Sequence, residues 1–205
     1  MLGIQTLNTL WDLLDSGFGW PSPRHGLNLL YWFANECVEV DNWNQITVLC
    51  DPSSRDFGFR LYHNNEGLLP VTNQPYFEVG NLNHEEARNL PDYVRREYNG
   101  YQYNNNADRI IICVDHDSVN RVYVTSHGGQ RNFNPNQTFQ ISPQLLKTIR
   151  RMKREDFIRE TTSVFSYICG SFKECCKMLL YFLFILFVLF VLIVLFHHHL
   201  SRKNY

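Results

Sequence analysis

One apolar stretch near the C-terminus limits most strongly which structures this chain can form. Residues 178–196 read MLLYFLFILFVLFVLIVLF, without a charged residue, glycine, proline or side-chain amide. A helix rising about 1.5 Å per residue crosses a hydrocarbon core about 30 Å thick with such a stretch, and only a helix satisfies the backbone of a single span in lipid. A buried core helix usually keeps a polar stripe, which this segment lacks. The sequence therefore predicts one transmembrane helix over 178–196.

The position of this span sets the expected topology. Only HHHLSRKNY, residues 197–205, follows it, so we expect the span to insert after translation has ended. The N-terminal residues MLGIQTLNTLWDLLDSG include Gln5, Asn8 and Asp12 and do not have the basic start and apolar run of a secretory signal peptide. The prediction is a single-pass, tail-anchored membrane protein.

Basic residues favour one orientation of the span. Lys173 and Lys177 border it on the N-terminal side, against Arg202 and Lys203 beyond it, and Lys/Arg-rich flanks stay cytosolic. We therefore predict a cytosolic large domain, in the endoplasmic reticulum or secretory pathway rather than the mitochondrial outer membrane. In the opposite orientation, the sequon that begins at Asn136 would be available for glycosylation in the lumen.

The amino-acid composition indicates which kind of structure the remainder of the chain forms. Hydrophobic residues make up 44% and aromatic residues 15% of the 205 residues, as in a folded domain. The formal net charge of -1 supplies no global field for nucleic acid. We predict an α+β globular domain over 1–140 with short antiparallel strands and several helices. A basic helical stalk and cysteine-bearing juxtamembrane segment follow over 141–177, then the transmembrane helix and the short tail.

Helical signals are found in five segments of the chain before the predicted span. The first fifteen residues place Leu7, Leu10, Trp11 and Leu14 on one face of a helix that ends near Gly17. A second buried helix is expected over 25–40. Further on, helical signals begin at Asn83 and at Pro91. Finally, Ser142 and Pro143 are typical of a helix start, with an apolar face made of Leu145, Leu146, Ile149 and Met152.

Strand patterns are shorter. We predict strands over 45–50 and 56–62, the second with Phe57, Phe59 and Leu61 facing inward. The clearest pair is RIIICVD, Arg109–Asp115, and NRVYVTS, Asn120–Ser126. Both are rich in β-branched residues and a short polar turn joins them, which predicts an antiparallel hairpin.

Two groups of residues are candidates for contact with the membrane. A cytosolic juxtamembrane thiol can be thioacylated, for example by palmitoylation, which makes Cys169, Cys175 and Cys176 lipidation candidates. The run KTIRRMKR carries five basic residues suited to anionic headgroups: Lys147, Arg150, Arg151, Lys153 and Arg154. For the first group the alternative is reduced interfacial thiols, and for the second it is a solvated helix face.

Nothing local in the sequence indicates catalysis, a metal or a cofactor. Cys37, Cys50 and Cys113 are far apart and lack zinc-site spacing, so we expect reduced buried thiols. A nucleophilic pair of Cys37 or Cys113 with His25, His63 or His127 would form only in three dimensions. We predict no catalytic residues, no metal ligands and no cofactor.

These features lead to a function hypothesis with two alternatives. The first is a cytosolic protein-interaction domain that the anchor confines to a bilayer, where it meets an unidentified protein partner; nucleic acid is not an expected partner. One alternative is a membrane-tethered enzyme that uses a Cys/His pair. The other is a membrane-remodelling or fusion factor that depends on the span and the basic stalk.

Overall fold

A computed structural model describes residues 3–18, 23–54, 57–65, 67–80, 85–96, 108–126 and 137–161. The chain divides into two compact units, Met1–Thr162 and Ser163–Tyr205, and the second unit lies outside the described residues. The predicted span, the tail and the lipidation candidates Cys169, Cys175 and Cys176 all belong to that second unit. Of the helices that are described, none has both the length and the apolar character needed to cross a bilayer.

Strands of the described residues form one mixed eight-stranded sheet. The main path runs β1-β8-β7-β6-β5-β4, while β2 pairs with β3 and β3 pairs with β7. The pairing of β1 with β8 is parallel, and the other pairs are antiparallel. The bounds are β1 (Thr6–Leu7), β2 (Val38–Val40), β3 (Ile46–Val48), β4 (Arg60–Tyr62), β5 (Tyr76–Val79), β6 (Arg109–Asp115), β7 (Ser118–Thr125) and β8 (Thr138–Ile141).

Helices cover one face of this sheet. A π-helical turn, Phe33–Cys37, continues the second α-helix, and a 3₁₀ helix, Glu85–Asn89, precedes the third. The α-helices are α1 (Leu10–Asp15), α2 (Pro23–Trp32), α3 (Asp92–Arg96) and α4 (Pro143–Arg151). The mixed sheet with its helices makes the domain α+β, as predicted.

The predicted hairpin is confirmed and forms the centre of the sheet. β6 and β7 pair from Arg109↔Thr125 to Asp115↔Ser118, and the register shifts at a bulge between Cys113 and Val114. Alternation along both strands divides the core into two clusters, one on each face. The larger cluster contains Ile110, Ile112, Val122 and Val124 together with residues of α2 and α4. The smaller contains Ile111, Cys113, Tyr123, Tyr76 and Leu69.

The N-terminal segment differs from the prediction. Thr6 and Leu7 form β1 instead of helix, because their backbone pairs with β8; the amide of Ser142 donates to the carbonyl of Leu7 over 3.0 Å. Helix α1 begins only after Thr9, whose hydroxyl accepts from the amide of Asp12 in a capping box. The helix therefore buries Leu13 and leaves Trp11 64% exposed, so Trp11 does not belong to the apolar face.

Three other elements are shorter in the structure than the sequence predicts. The second helix leaves helical geometry at Cys37, because Val38 begins β2 and pairs with Val48. The strands expected over 45–50 and 56–62 shrink to β3 and β4. In β4 the prediction for Leu61 was wrong: β4 is the last strand on the sheet path, and Leu61 is 51% exposed while Phe59 is buried.

The helix predicted as a stalk belongs to the globular unit. Ser142 caps α4 by accepting from the amide of Leu145, and Pro143 opens the helix, as expected. Its apolar face is buried in the larger core cluster, and Phe157 in the following helical residues, 154–161, is buried there too. Because the compact unit extends to Thr162, it includes residues beyond the predicted boundary at 140.

Candidate functional site

One edge of β7 is shared by two different strands, and this arrangement creates the candidate site. β3 pairs with this edge only at Thr47↔Ser118. β8 pairs with it from Val122 onward, beginning with Val122↔Ile141. Val119, Asn120 and Arg121 therefore lie between the end of one ladder and the start of the next. We call this gap, with Val119–Arg121 as its floor, the β7 notch.

The β7 notch is an open, mainly polar cavity of about 310 Å³. Amide and hydroxyl side chains supply donors and acceptors, and Arg121 supplies a cation. No cysteine, histidine or carboxylate is among the described residues that line it. The lining comprises Asn44, Gln45, Ile46, Ser118, Val119, Asn120, Arg121, Val122, Gln140, Ile141 and Pro143.

A bulge shapes the floor of the notch. Across β6 and β7, Arg121 pairs with Cys113 but Val119 pairs with Val114, so Asn120 is the extra residue. Its side-chain amide donates to the Oε1 of Gln74 over 2.8 Å, which holds the bulged residue in place. Bulges of this kind redirect side chains and end strand pairing. The bulge therefore coincides with the interruption between the β3 and β8 ladders.

The tight turn between β2 and β3 forms one wall and projects a tryptophan. The Oδ1 of Asp41 accepts from the backbone amides of Trp43 and Gln45, both over 2.8 Å. Asn44 takes a left-handed conformation with φ of 65°, which asparagine tolerates better than most residues. Trp43, the residue before Asn44, is 86% exposed. The turn fixes the backbone at Trp43, and this exposed residue directly precedes Asn44, which lines the notch.

Helix α4 braces the same wall with two of the predicted headgroup residues. The Nζ of Lys147 donates to the Oδ1 of Asn44 over 2.9 Å. Arg150 donates to the carbonyl of Val38, the first residue of β2. These bonds tie the β2–β3 hairpin to α4, so the wall of the notch is held from outside as well as by its own turn.

The other predicted headgroup residues are divided between the protein and solvent. Arg154 lies 4.8 Å from the ring centroid of Tyr93 in a cation-π contact. Arg151 and Lys153 are exposed. Lys147, Arg150 and Arg154 are thus engaged within the domain, which leaves Arg151 and Lys153 as the exposed members of the predicted set.

The structure gives the neighbours of most of the cysteines and histidines that the sequence offered as a nucleophilic pair. Cys37 and Cys50 lie at the same end of the β2–β3 hairpin, where the amide of Leu49 donates to the carbonyl of Cys37, and the Sγ of Cys113 donates to the Oε1 of Gln74 over 3.7 Å. His63 is exposed, and His127 lies outside the described residues. The parts of the chain that the structure describes hold no group of three or more His, Cys, Asp or Glu side chains suited to a metal ion.

His25 belongs to a buried polar cluster instead. Its Nδ1 lies 3.4 Å from the Oδ2 of Asp108, and the hydroxyl of Ser126 donates to the Oδ1 of the same carboxylate. Asp108 stands between the other two side chains, so it joins α2 to the ends of β6 and β7. A nucleophilic triad instead needs the histidine between the serine and the acid, so this order favours a structural role.

The sequon has one buried member. Asn136 lies outside the described residues, whereas Thr138 is 4% exposed in β8. The hydroxyl of Thr138 lies 2.9 Å from that of Thr125 on β7. Of the two sequon residues that the structure describes, Gln137 and Thr138, the second is therefore part of the sheet rather than of an exposed loop.

Sequence reasoning missed the notch because no local pattern encodes it. The notch depends on the register of β3 and β8 against β7, which joins residues 47, 118, 122 and 141. The exposed Trp43 in a turn was the one available signal. Comparisons with family models, with curated proteins and with solved structures find no match for this chain, so a functional interpretation depends on the geometry of the notch.

Proposed function

We propose that this chain is a single-pass membrane protein whose globular domain binds an extended segment of a partner protein in the β7 notch. The observation that carries the proposal is the three-residue edge of β7 left between the β3 and β8 ladders. A strand edge offers backbone donors and acceptors to an added strand, the basis of β-augmentation. A partner segment of a few residues would continue the sheet across the gap.

Side chains around the notch suit such a guest. Successive side chains of a strand point to opposite faces, so a guest would send alternate side chains toward the apolar and the polar parts of the lining. Ile46 and Ile141 are buried at the sides of the gap, while Gln140 and Arg121 supply polar contacts. The exposed Trp43, which directly precedes the lining residue Asn44, would add the large aromatic contact that dominates many interfaces.

Residues 178–196 supply the second half of the proposal. Their uninterrupted apolar sequence supports a bilayer anchor. An anchor raises the effective concentration of the domain against partners on the same membrane, so a weak peptide contact suffices. We propose a cytosolic domain at the endoplasmic reticulum or a secretory membrane, as the basic flank of the span favours.

A matched pair of tryptophan variants tests the binding site. Peptides are selected from a displayed random library against the full chain in lipid nanodiscs, and the strongest binder is used as the probe. Trp43→Ala should weaken its binding by about tenfold, as expected for an aromatic hot spot. Trp11→Ala removes an exposed tryptophan of α1 and should leave the affinity unchanged.

The backbone of the probe supplies the decisive control. N-methylation of alternate peptide bonds removes donors without changing side chains, and one of the two methylated series should lose binding. Binding that survives both series, or that responds equally to Trp11→Ala and Trp43→Ala, would rule out strand addition at the notch.

A further inference from the structure

Two cysteines that are thirteen positions apart meet at the base of the β2–β3 hairpin. Cys37 ends the π-helical turn and precedes β2, and Cys50 follows β3 by two residues. The register pairs Val38 with Val48, and the amide of Leu49 donates to the carbonyl of Cys37 over 2.8 Å. The strand pairing thus brings the two cysteines to the same end of the hairpin, where both pack against the larger core cluster.

The environments of the two sulfurs differ. Cys37 is 1% exposed, and burial together with its contact to Cys50 raises the pKa of its thiol well above the ordinary range. Cys50 is only partly buried, and a hydrogen bond from the Cys37 thiol holds the pKa of Cys50 below its ordinary value. Cys50 is the more exposed of the two thiols, and since the thiolate is the reactive form, we expect Cys50 to be the nucleophile and Cys37 its protected neighbour.

Single-turn π segments occur often where a side chain is placed for function. The turn Phe33–Cys37 adds such a segment at the point where the chain passes from helix to strand. It delivers Cys37 to the hairpin base with its side chain in the core, while Phe33 and Ala34 of the same turn are also buried. The position of Cys37 against Cys50 is therefore built by packing on both sides.

We propose that Cys37 and Cys50 form a redox site, in which a peroxide oxidises Cys50 and Cys37 resolves the product to a reversible disulfide. The Cys50 thiolate attacks hydrogen peroxide, so an S–O bond forms, the O–O bond breaks and hydroxide leaves; the sulfur loses two electrons and becomes a sulfenic acid. The Cys37 sulfur then attacks the Cys50 sulfur. The S–S bond forms, the S–O bond breaks, and the Cys37 proton leaves with the hydroxyl as water.

The test treats the full chain in detergent micelles with hydrogen peroxide, blocks the remaining thiols, and maps cysteine linkages by mass spectrometry without reduction. The expected product is a peptide pair joined through Cys37 and Cys50 that disappears after treatment with a thiol reductant. Before oxidation, Cys50 should be alkylated at neutral pH at least about tenfold faster than Cys113, which is 3% exposed and has a thiol pKa raised by burial.

Three variants separate the steps. Cys113→Ser should form the same linked pair as the unmodified chain. Cys50→Ser should leave Cys37 as a free thiol after peroxide. Cys37→Ser should leave a sulfenic acid on Cys50 that dimedone traps, and its near-ultraviolet circular dichroism should show that the fold is intact.

Two results would overturn the redox site. One is oxidation of Cys50 to a sulfinic acid in the unmodified chain while Cys37 stays reduced. The other is a Cys50 that reacts no faster than Cys113 and forms no link to Cys37. Neither result depends on whether a peptide occupies the β7 notch, so each bears on the redox site alone.

Discussion

Single positions show how tightly the domain is assembled around the ends of β5 and β6. Gly80 follows β5 with φ of +112°, a conformation that residues with a side chain rarely adopt. A Cβ atom there would lie 2.5 Å from the Cδ2 of Leu29 on α2 and 2.8 Å from the carbonyl oxygen of Asp108. The backbone of β5 thus approaches both α2 and β6 too closely for any other residue.

Gly80→Ala should therefore destabilise the domain by about 3 kcal/mol, because backbone strain adds to overpacking. The matched control is Gly67→Ala, where φ is +63° and nothing lies within 4 Å of the added Cβ; strain alone should cost about 1 kcal/mol. Urea unfolding followed by circular dichroism measures both values. Equal costs for the two variants would show that the close approach at Gly80 is absent.

Tyr76, in the smaller core cluster, makes the stability of the domain depend on pH at high pH. Its hydroxyl donates to the carbonyl of Pro70 over 2.8 Å, and burial, with a smaller effect of Tyr123, raises the pKa of Tyr76 to about 12 from 10.0. A raised pKa means that folding favours the neutral phenol. The associated stability is fully present below pH 10 and is lost as pH rises through about 12.

The raised pKa of Tyr76 is checked by measuring the absorbance of phenolate as a function of pH. Tyr76→Phe should remove a component that titrates near pH 12 in the folded chain. The urea-unfolded chain is the reference, in which every tyrosine should titrate at its ordinary pKa. A difference between the folded proteins that appears near pH 10 instead would contradict the burial of this hydroxyl.

At the scale of elements, the sequence predicts what is local and misses what depends on distant pairing. The β6–β7 hairpin and α4 are encoded within their own residues, by alternation and by Ser142 with Pro143. β1 could not be predicted, because Thr6 and Leu7 become a strand only by pairing with residues 140 and 141. The notch was missed for the same reason, and the contact of Cys37 with Cys50 depends on the register of β2 and β3.

Helix α4 provides the clearest test at this scale. Leu146 is 0% exposed in the larger core cluster, so Leu146→Ala should lower the free energy of unfolding of the domain by about 3 kcal/mol. Leu61→Ala is the control, because Leu61 on β4 is 51% exposed and should cost less than about 1 kcal/mol. If α4 were a separate stalk, Leu146→Ala would leave the unfolding of the globular unit unchanged.

For the whole molecule, we propose a membrane anchor together with a domain in which the pairing of β7 is interrupted. The basic residues predicted to meet lipid are partly used within the domain, since Lys147 and Arg150 hold the β2–β3 hairpin. The same contacts fix the wall of the notch beside Trp43. We therefore propose partner recognition at the notch, and retention at the membrane by residues 178–196.

Amide hydrogen exchange by NMR, on the full chain in nanodiscs with and without the selected peptide, tests this central claim most directly. An added strand would place new hydrogen bonds on the open edge of β7, so at least one amide of Val119, Asn120 or Arg121 should become protected. Amides of β5, which pairs with β4 on one side and with β6 on the other, should not change. Protection confined to α1, or a bound peptide that leaves these three amides unaltered, would contradict recognition at the β7 notch.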